Sequence, residues 1–240
     1  MRTIIATTVT ILMVNYPSAV IADQKKGGIT DESARASLGE TRDQVRFRSL
    51  VNEASEAYES IVKGPQSEVP RKILTGALCI GVIPNLMTGA FVVGGTHGEG
   101  LVSCKDKNGE WSQPATISLN QGSVGLQAGA KIADMVLFFR TTDAVEALKK
   151  GNFTLGTDVS AVAGSYDANI SSSDAGVIVY SRSDGLFAGV SVNGSKVGKE
   201  QDMLERYYGE RIDYSALLEG RQNTGSRGYT VNLTKLFPRS

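Results

Sequence analysis

Residues 77–139 read ALCIGVIPNLMTGAFVVGGTHGEGLVSCKDKNGEWSQPATISLNQGSVGLQAGAKIADMVLFF, and this stretch decides the fold. Short apolar runs rich in β-branched residues (79–84, 89–95, 100–104, 115–119, 123–130 and 133–139) are divided by Gly and Asn. That pattern predicts strands. Asp106-Lys107-Asn108-Gly109 predicts a hairpin turn, because Asn-Gly tolerates positive φ. Two further turn signals follow, Ser183-Asp184-Gly185 and Asn193-Gly194.

Outside this block the periodicity changes. Upstream, a helix is expected from near Asp31, and Leu50, Ala54, Tyr58, Ile61 and Val62 recur at spacings of three and four as one apolar face. Gly64-Pro65 ends it. Ser67 is the expected N-cap of a short helix that opens at Pro70 and ends near Gly76. Downstream, Thr142-Asp143 is expected to cap a helix through Lys150, with Gly151 as its stop. Residues 199–209 and 214–219 read as helices. The predicted class is α+β: N-terminal helices, a curved, mostly antiparallel sheet (barrel-like or sandwich-like), then short C-terminal helices.

The N-terminus reads as a targeting segment. Arg2 precedes an apolar run over 4–14 that is too short to span a bilayer but suits a signal-peptide core. Val20-Ile21-Ala22 predicts cleavage after Ala22; a buried N-terminal helix or strand is the alternative. The expected organisation is a signal peptide (1–22), a flexible N-terminus (23–30), a single domain (31–219) and a C-terminal tail (220–240). Export implies a periplasmic or secreted protein in an oxidising compartment. There Cys79 and Cys104 read either as a disulfide or as two separate buried thiols.

The chain has 240 residues, with 25 Lys+Arg against 25 Asp+Glu, 27 Gly, two Cys and one His. Neutral balance argues against nucleic acid as a partner. One histidine and two cysteines argue against a zinc finger and a metal site, and no cofactor motif is present. His97 lies in the run Gly94-Gly95-Thr96-His97-Gly98-Glu99-Gly100, where it reads as a turn or strand residue or as the general base of a hydrolase. No G-x-S-x-G elbow accompanies it, and the run lacks the Gly-Lys-Ser/Thr of a phosphate-binding loop. Basic residues cluster at Arg42, Arg46 and Arg48 and at Arg71-Lys72. Such a helix face either is solvated or meets anionic lipid headgroups.

A succession of motifs resembles the SYLF domain family. It comprises Ile83-Pro84, the Gly-rich run 94–100, Gly109-Glu110-Trp111-Ser112-Gln113-Pro114 and Gly122-Ser123-Val124-Gly125-Leu126-Gln127-Ala128-Gly129. Phe153-Thr154-Leu155-Gly156, the run 180–189 and Tyr207-Tyr208-Gly209 continue it, so that the resemblance covers about residues 45–219. Where the family often has Ala-Gly-Pro-x-Gly-Arg, this chain has Ala163-Gly164-Ser165-Tyr166-Asp167, without the arginine.

The resemblance implies a non-catalytic, lipid-binding or membrane-associated module. Eukaryotic relatives bind phosphoinositides and, in the yeast-like branch, actin filaments; secreted bacterial-type members are envelope proteins. The signal peptide argues against actin here. The expected partner is phospholipid or a membrane surface, contacted by Arg46, Arg48, Arg71 and Lys72. A protein-binding envelope module without lipid affinity is the alternative, and a hydrolase using His97 the third reading.

Overall fold

The structure, a computed structural model, describes residues 41–65, 67, 69–90, 93–124, 129–163, 174–183, 186–187, 193–224 and 230–238. The signal peptide, the 23–30 segment and the helix onset near Asp31 lie outside them. So do Asp184-Gly185 and the departure from the family pattern at 164–167.

Helix α1 (Arg42–Tyr58) runs directly into a π-helical turn (Glu59–Lys63). Phe47, Leu50, Val51, Ala54, Tyr58 and Ile61 form its buried stripe, one side of a 3.6-residue helix. At the turn Arg182 donates from Nη1 to Ser60 Oγ at 2.9 Å and also to the Ser60 carbonyl. Gly64 ends the helix in an extended conformation. Helix α2 (Arg71–Thr75) starts at Pro70 rather than at a Ser67 cap. Ser67 Oγ instead accepts from the Val69 amide at 3.4 Å, a local turn in front of the helix.

Next come β1 (Cys79–Ala90), β2 (Val93–Cys104), β3 (Ala115–Val124) and β4 (Gly129–Phe139), followed by α3 (Thr142–Lys150). The N-cap of α3 is Thr141, one residue before the expected pair: its side chain accepts from the Ala144 amide. Short strands β5 (Phe153–Thr154), β6 (Ala161–Ala163), β7 (Val177–Ser183), β8 (Leu186–Phe187) and β9 (Lys196–Lys199) complete the sheet. Helices α4 (Gln201–Tyr208) and α5 (Tyr214–Leu218) match the two expected C-terminal helices.

The strands form a single curled, half-barrel sheet rather than a sandwich, in the order β5-β9-β3-β2-β1-β4-β7-β6 with β8 on β7. Every pairing is antiparallel except β6 with β7. The Asp106–Gly109 turn joins β2 and β3 as expected: Gly109 has φ 80° and the Asp106 carboxylate accepts from the Asn108 and Glu110 amides. One face of the sheet takes α1 on Ile80, Val82, Val136 and Phe138. The other carries Gly81, Ile83, Ile117 and Leu137 inside the curl, where Phe139 meets Phe153 with ring centroids 6.2 Å apart.

The two cysteines are joined. Cys79 and Cys104 are direct partners in the β1–β2 register, with Cα atoms 4.0 Å apart and S–S 2.06 Å. Closing a loop of this size contributes about 3 kcal/mol on the chain-entropy account.

Beyond residue 219, read from sequence only as a tail, helix α6 (Thr230–Leu236) packs on α1. Phe237 lies edge-on to Tyr58 and Trp111, and Trp111 Nε1 donates to the Pro238 carbonyl at 2.9 Å.

Candidate functional site

The site is built around an irregularity in β1. Pro84 cannot donate to a ladder, and at this point β1 carries one residue more than either neighbour, a bulge on both sides. Asn85 takes the strain with φ 51°, the one positive φ among described non-glycine residues, a region Asn enters readily. Its amide donates to Asp134 Oδ1 at 3.0 Å and its Nδ2 to Glu53 Oε2 at 3.1 Å, which ties the bulge to β4 and to α1.

Opposite the bulge, β2 has glycine. A Cβ on Gly98 would stand 2.6 Å from Ile83 Cγ2 and Leu86 Cδ1, and one on Gly100 would run into the Val82 carbonyl. The Gly-rich run is therefore a strand interior cut down to admit a bulged neighbour. It is not a phosphate cradle.

Between α1 and the bulge lies a cleft of about 390 Å³, bordered by Arg46, Glu53, Asn85, Met87, His97 and Tyr207 among others. Arg46 Nη2 donates to Glu99 Oε2 at 2.8 Å, yet its side chain is 63% exposed. Met87 is 60% exposed. The buried Tyr207 ring stacks on Phe47 at 4.7 Å, and burial raises its phenol above the ordinary value. His97 Nδ1 is 2.7 Å from Asn120 Oδ1, an amide partner across β2–β3, and both cysteine sulfurs are in the disulfide. The hydrogen-bond partner of His97, the Asn120 side chain, is an amide and not the nucleophile that the hydrolase reading needs. Among the described residues no group of three His, Cys, Asp or Glu is placed to hold a metal ion, and no helix is long and apolar enough to cross a membrane.

The four basic residues expected to meet headgroups do not form one patch. Arg46 is exposed at the cleft, whereas Arg48 on the same helix is half-buried. Arg71 and Lys72 are exposed on α2, whose C-terminal carbonyl at Thr75 accepts from Lys105 Nζ at 3.3 Å. Lys105 also lies over Trp111, 5.2 Å from the ring centroid, and desolvation lowers its pKa. Glu99, which holds Arg46, and Lys105 are about 20 Å apart along β2 at the usual strand rise.

The wider motif succession has structural work. Ser112 Oγ accepts from the Cys104 amide at 3.1 Å, the Pro114 carbonyl accepts from Tyr208 OH at 2.8 Å, and Gly209 caps α4 with φ 73°. The family described as "Ysc84: Las17-binding protein actin regulator" matches residues 120–236. The chain is 33% identical over 188 residues to "LAS seventeen-binding protein 3" of Saccharomyces cerevisiae, covering 73% of this chain and 41% of that one.

This chain belongs to the Ysc84, or SYLF, family.

A second SYLF relative, "SH3 domain-containing YSC84-like protein 1" of Homo sapiens, is 30% identical over 163 residues, covering 65% of this chain and 47% of that one. A third, "SH3 domain-containing protein PJ696.02" of Schizosaccharomyces pombe, is 31% identical over 166 residues, covering 66% and 38%. The chain thus spans less than half the length of these SYLF proteins. Met87 and the bulge were not legible as a site: a methionine in an apolar strand reads as core until its cover is known.

Proposed function

We propose that this SYLF chain is an exported, non-catalytic module that binds membrane lipid peripherally, through anionic headgroups, in the cell envelope. One observation carries the reading: Arg46 and Met87, 63% and 60% exposed, share the rim of one cleft. A cation beside an unburied apolar side chain matches an interface of phosphates over acyl chains. The family resemblance supports the lipid, and the N-terminal 22 residues support export. Arg71 and Lys72 offer a second exposed basic pair at the other end of β1.

Co-sedimentation with neutral and anionic vesicles at low and high salt tests this. The expected result is anionic-selective binding that weakens with salt and falls severalfold in Arg46→Ala, at roughly 1 kcal/mol per basic residue at the surface. Equal binding to neutral vesicles would remove the headgroup mechanism.

A second reading, a protein-binding envelope module, draws on the family's description and on the name of one relative, both of which describe binding to a protein. Loss of all vesicle binding with capture of a specific envelope protein would favour it.

A further inference from the structure

The sheet outruns the helix that covers it. Beyond the bulge, β3, β2, β1 and β4 continue past α1. Across them Ile132, Met87, His97 and Asn120 lie in register, with Lys196 of β9 opposite Asn120. All five are exposed, and Ile132 (55%) and Met87 (60%) are two of the three large apolar side chains that stand exposed among the described residues. The next row on this face is Gly89, Gly95 and Gly122, again in register. A Cβ on Gly89 or Gly122 would meet nothing within 4 Å, and one on Gly95 only the Gln121 carbonyl at 3.4 Å. Among the described residues the face is open, not merely short of side chains.

Its charge is one-sided. Residues 87–97 and 120–132 contain no Asp or Glu, in a chain where acids equal bases; the ionisable groups of the row itself are His97 and Lys196, while Lys131, paired with Thr88, lies on the opposite face of β4. The nearest carboxylates are held back at the bulge: Glu99 on Arg46, Glu53 on the Asn85 side chain, Asp134 on the Asn85 amide.

We infer that this overhanging sheet end is the surface the protein presents to an anionic bilayer, with Met87 and Ile132 entering the headgroup–acyl boundary and Lys196 meeting phosphates. This rests on the lipid reading above and names the contact. An acid-free apolar face is not repelled by an anionic surface, and each lysine near it raises partitioning roughly five-fold. Entry is shallow, because strand-edge amides and carbonyls cannot be left unpaired in hydrocarbon. Arg71 and Lys72 then remain in solvent, since Cys79, beside α2, is about 25 Å from Met87 along β1.

The test uses the full chain with single cysteines at Met87→Cys, Ile132→Cys and Lys72→Cys, each labelled with an environment-sensitive fluorophore; both native cysteines are already paired. Vesicles of phosphatidylcholine with phosphatidylglycerol carry nitroxide-labelled lipid as quencher. Blue-shifted, quenched emission at positions 87 and 132 but not 72 is expected. Met87→Ser with Ile132→Ser should lower partitioning about ten-fold or more with the melting temperature unchanged. Vesicle binding with quenching at position 72, or with none at 87 and 132, overturns the sheet-end contact and leaves the lipid reading standing. Absence of binding to any vesicle overturns both.

Discussion

Gly98 and Gly100 show at the residue scale how a glycine-rich run without a ligand arises. Each faces the bulged part of β1, where Ile83, Leu86 and the Val82 carbonyl occupy the space of a side chain. Gly122, on the same sheet, faces nothing within 4 Å. Gly100→Ala is predicted to cost about 2 kcal/mol or more, since neighbouring backbone must move, whereas Gly122→Ala should stay within about 0.5 kcal/mol of the parent. Urea unfolding of the two variants checks this, and equal midpoints would show that the close approach at Gly100 is not what the structure says. The sequence alone marks both glycines as strand punctuation; only their neighbours separate them.

At the scale of elements, α3 and α5 are joined through Glu219. Lys149 donates to Glu219 and Glu146 at 3.0 Å each, and Arg221 Nε donates to Glu219 at 2.5 Å. The Arg221 hydrogen bond, then that of Lys149, holds the Glu219 carboxyl below its usual pKa. A depressed folded pKa stabilises the native state above the unfolded value, about 4.3, and that contribution is lost as pH falls through the folded value. Glu219→Gln is therefore predicted to lower stability near pH 7 by at most about 1 kcal/mol, as for partly exposed pairs. The gap should close below about pH 4. Melting temperatures of both proteins at pH 7 and pH 3 decide it; a gap that widens in acid would assign the effect elsewhere. The one-residue shift of the α3 cap, from Thr142 to Thr141, is a local ambiguity of another kind. Consecutive threonines offer the same hydroxyl, and the extended conformation at Thr141 (φ −113°, ψ 152°) selects between them.

For the whole molecule, the C-terminal segment closes the end of the fold that carries the Trp111 motif. Phe237 is buried between Tyr58 and Trp111 and links α6 to α1 and to the β2–β3 turn. Phe237→Ala is predicted to cost about 3 kcal/mol and to shift Trp111 emission to the red, because the only tryptophan of the chain loses its cover. Unfolding followed by that emission measures both. An unchanged spectrum would place the segment off the domain.

What the sequence by itself determined is local: the apolar face of α1, the helices α4 and α5, the Asp106–Gly109 hairpin, the strand runs of 79–139 and the antiparallel character they imply. Each depends on short-range periodicity or on a backbone angle that a few residues set. The pairing of Cys79 with Cys104 was one of two open readings, and the β1–β2 register closed it. The tertiary structure alone decided that Arg46 parts from Arg71 and Lys72, that Phe237 is core, and that Met87 and Ile132 are surface. Alternation along a strand separates two faces but does not say how far a helix covers either. Here the bulge at Asn85 and the reach of α1 set that limit, and both arise from contacts between residues far apart in the chain.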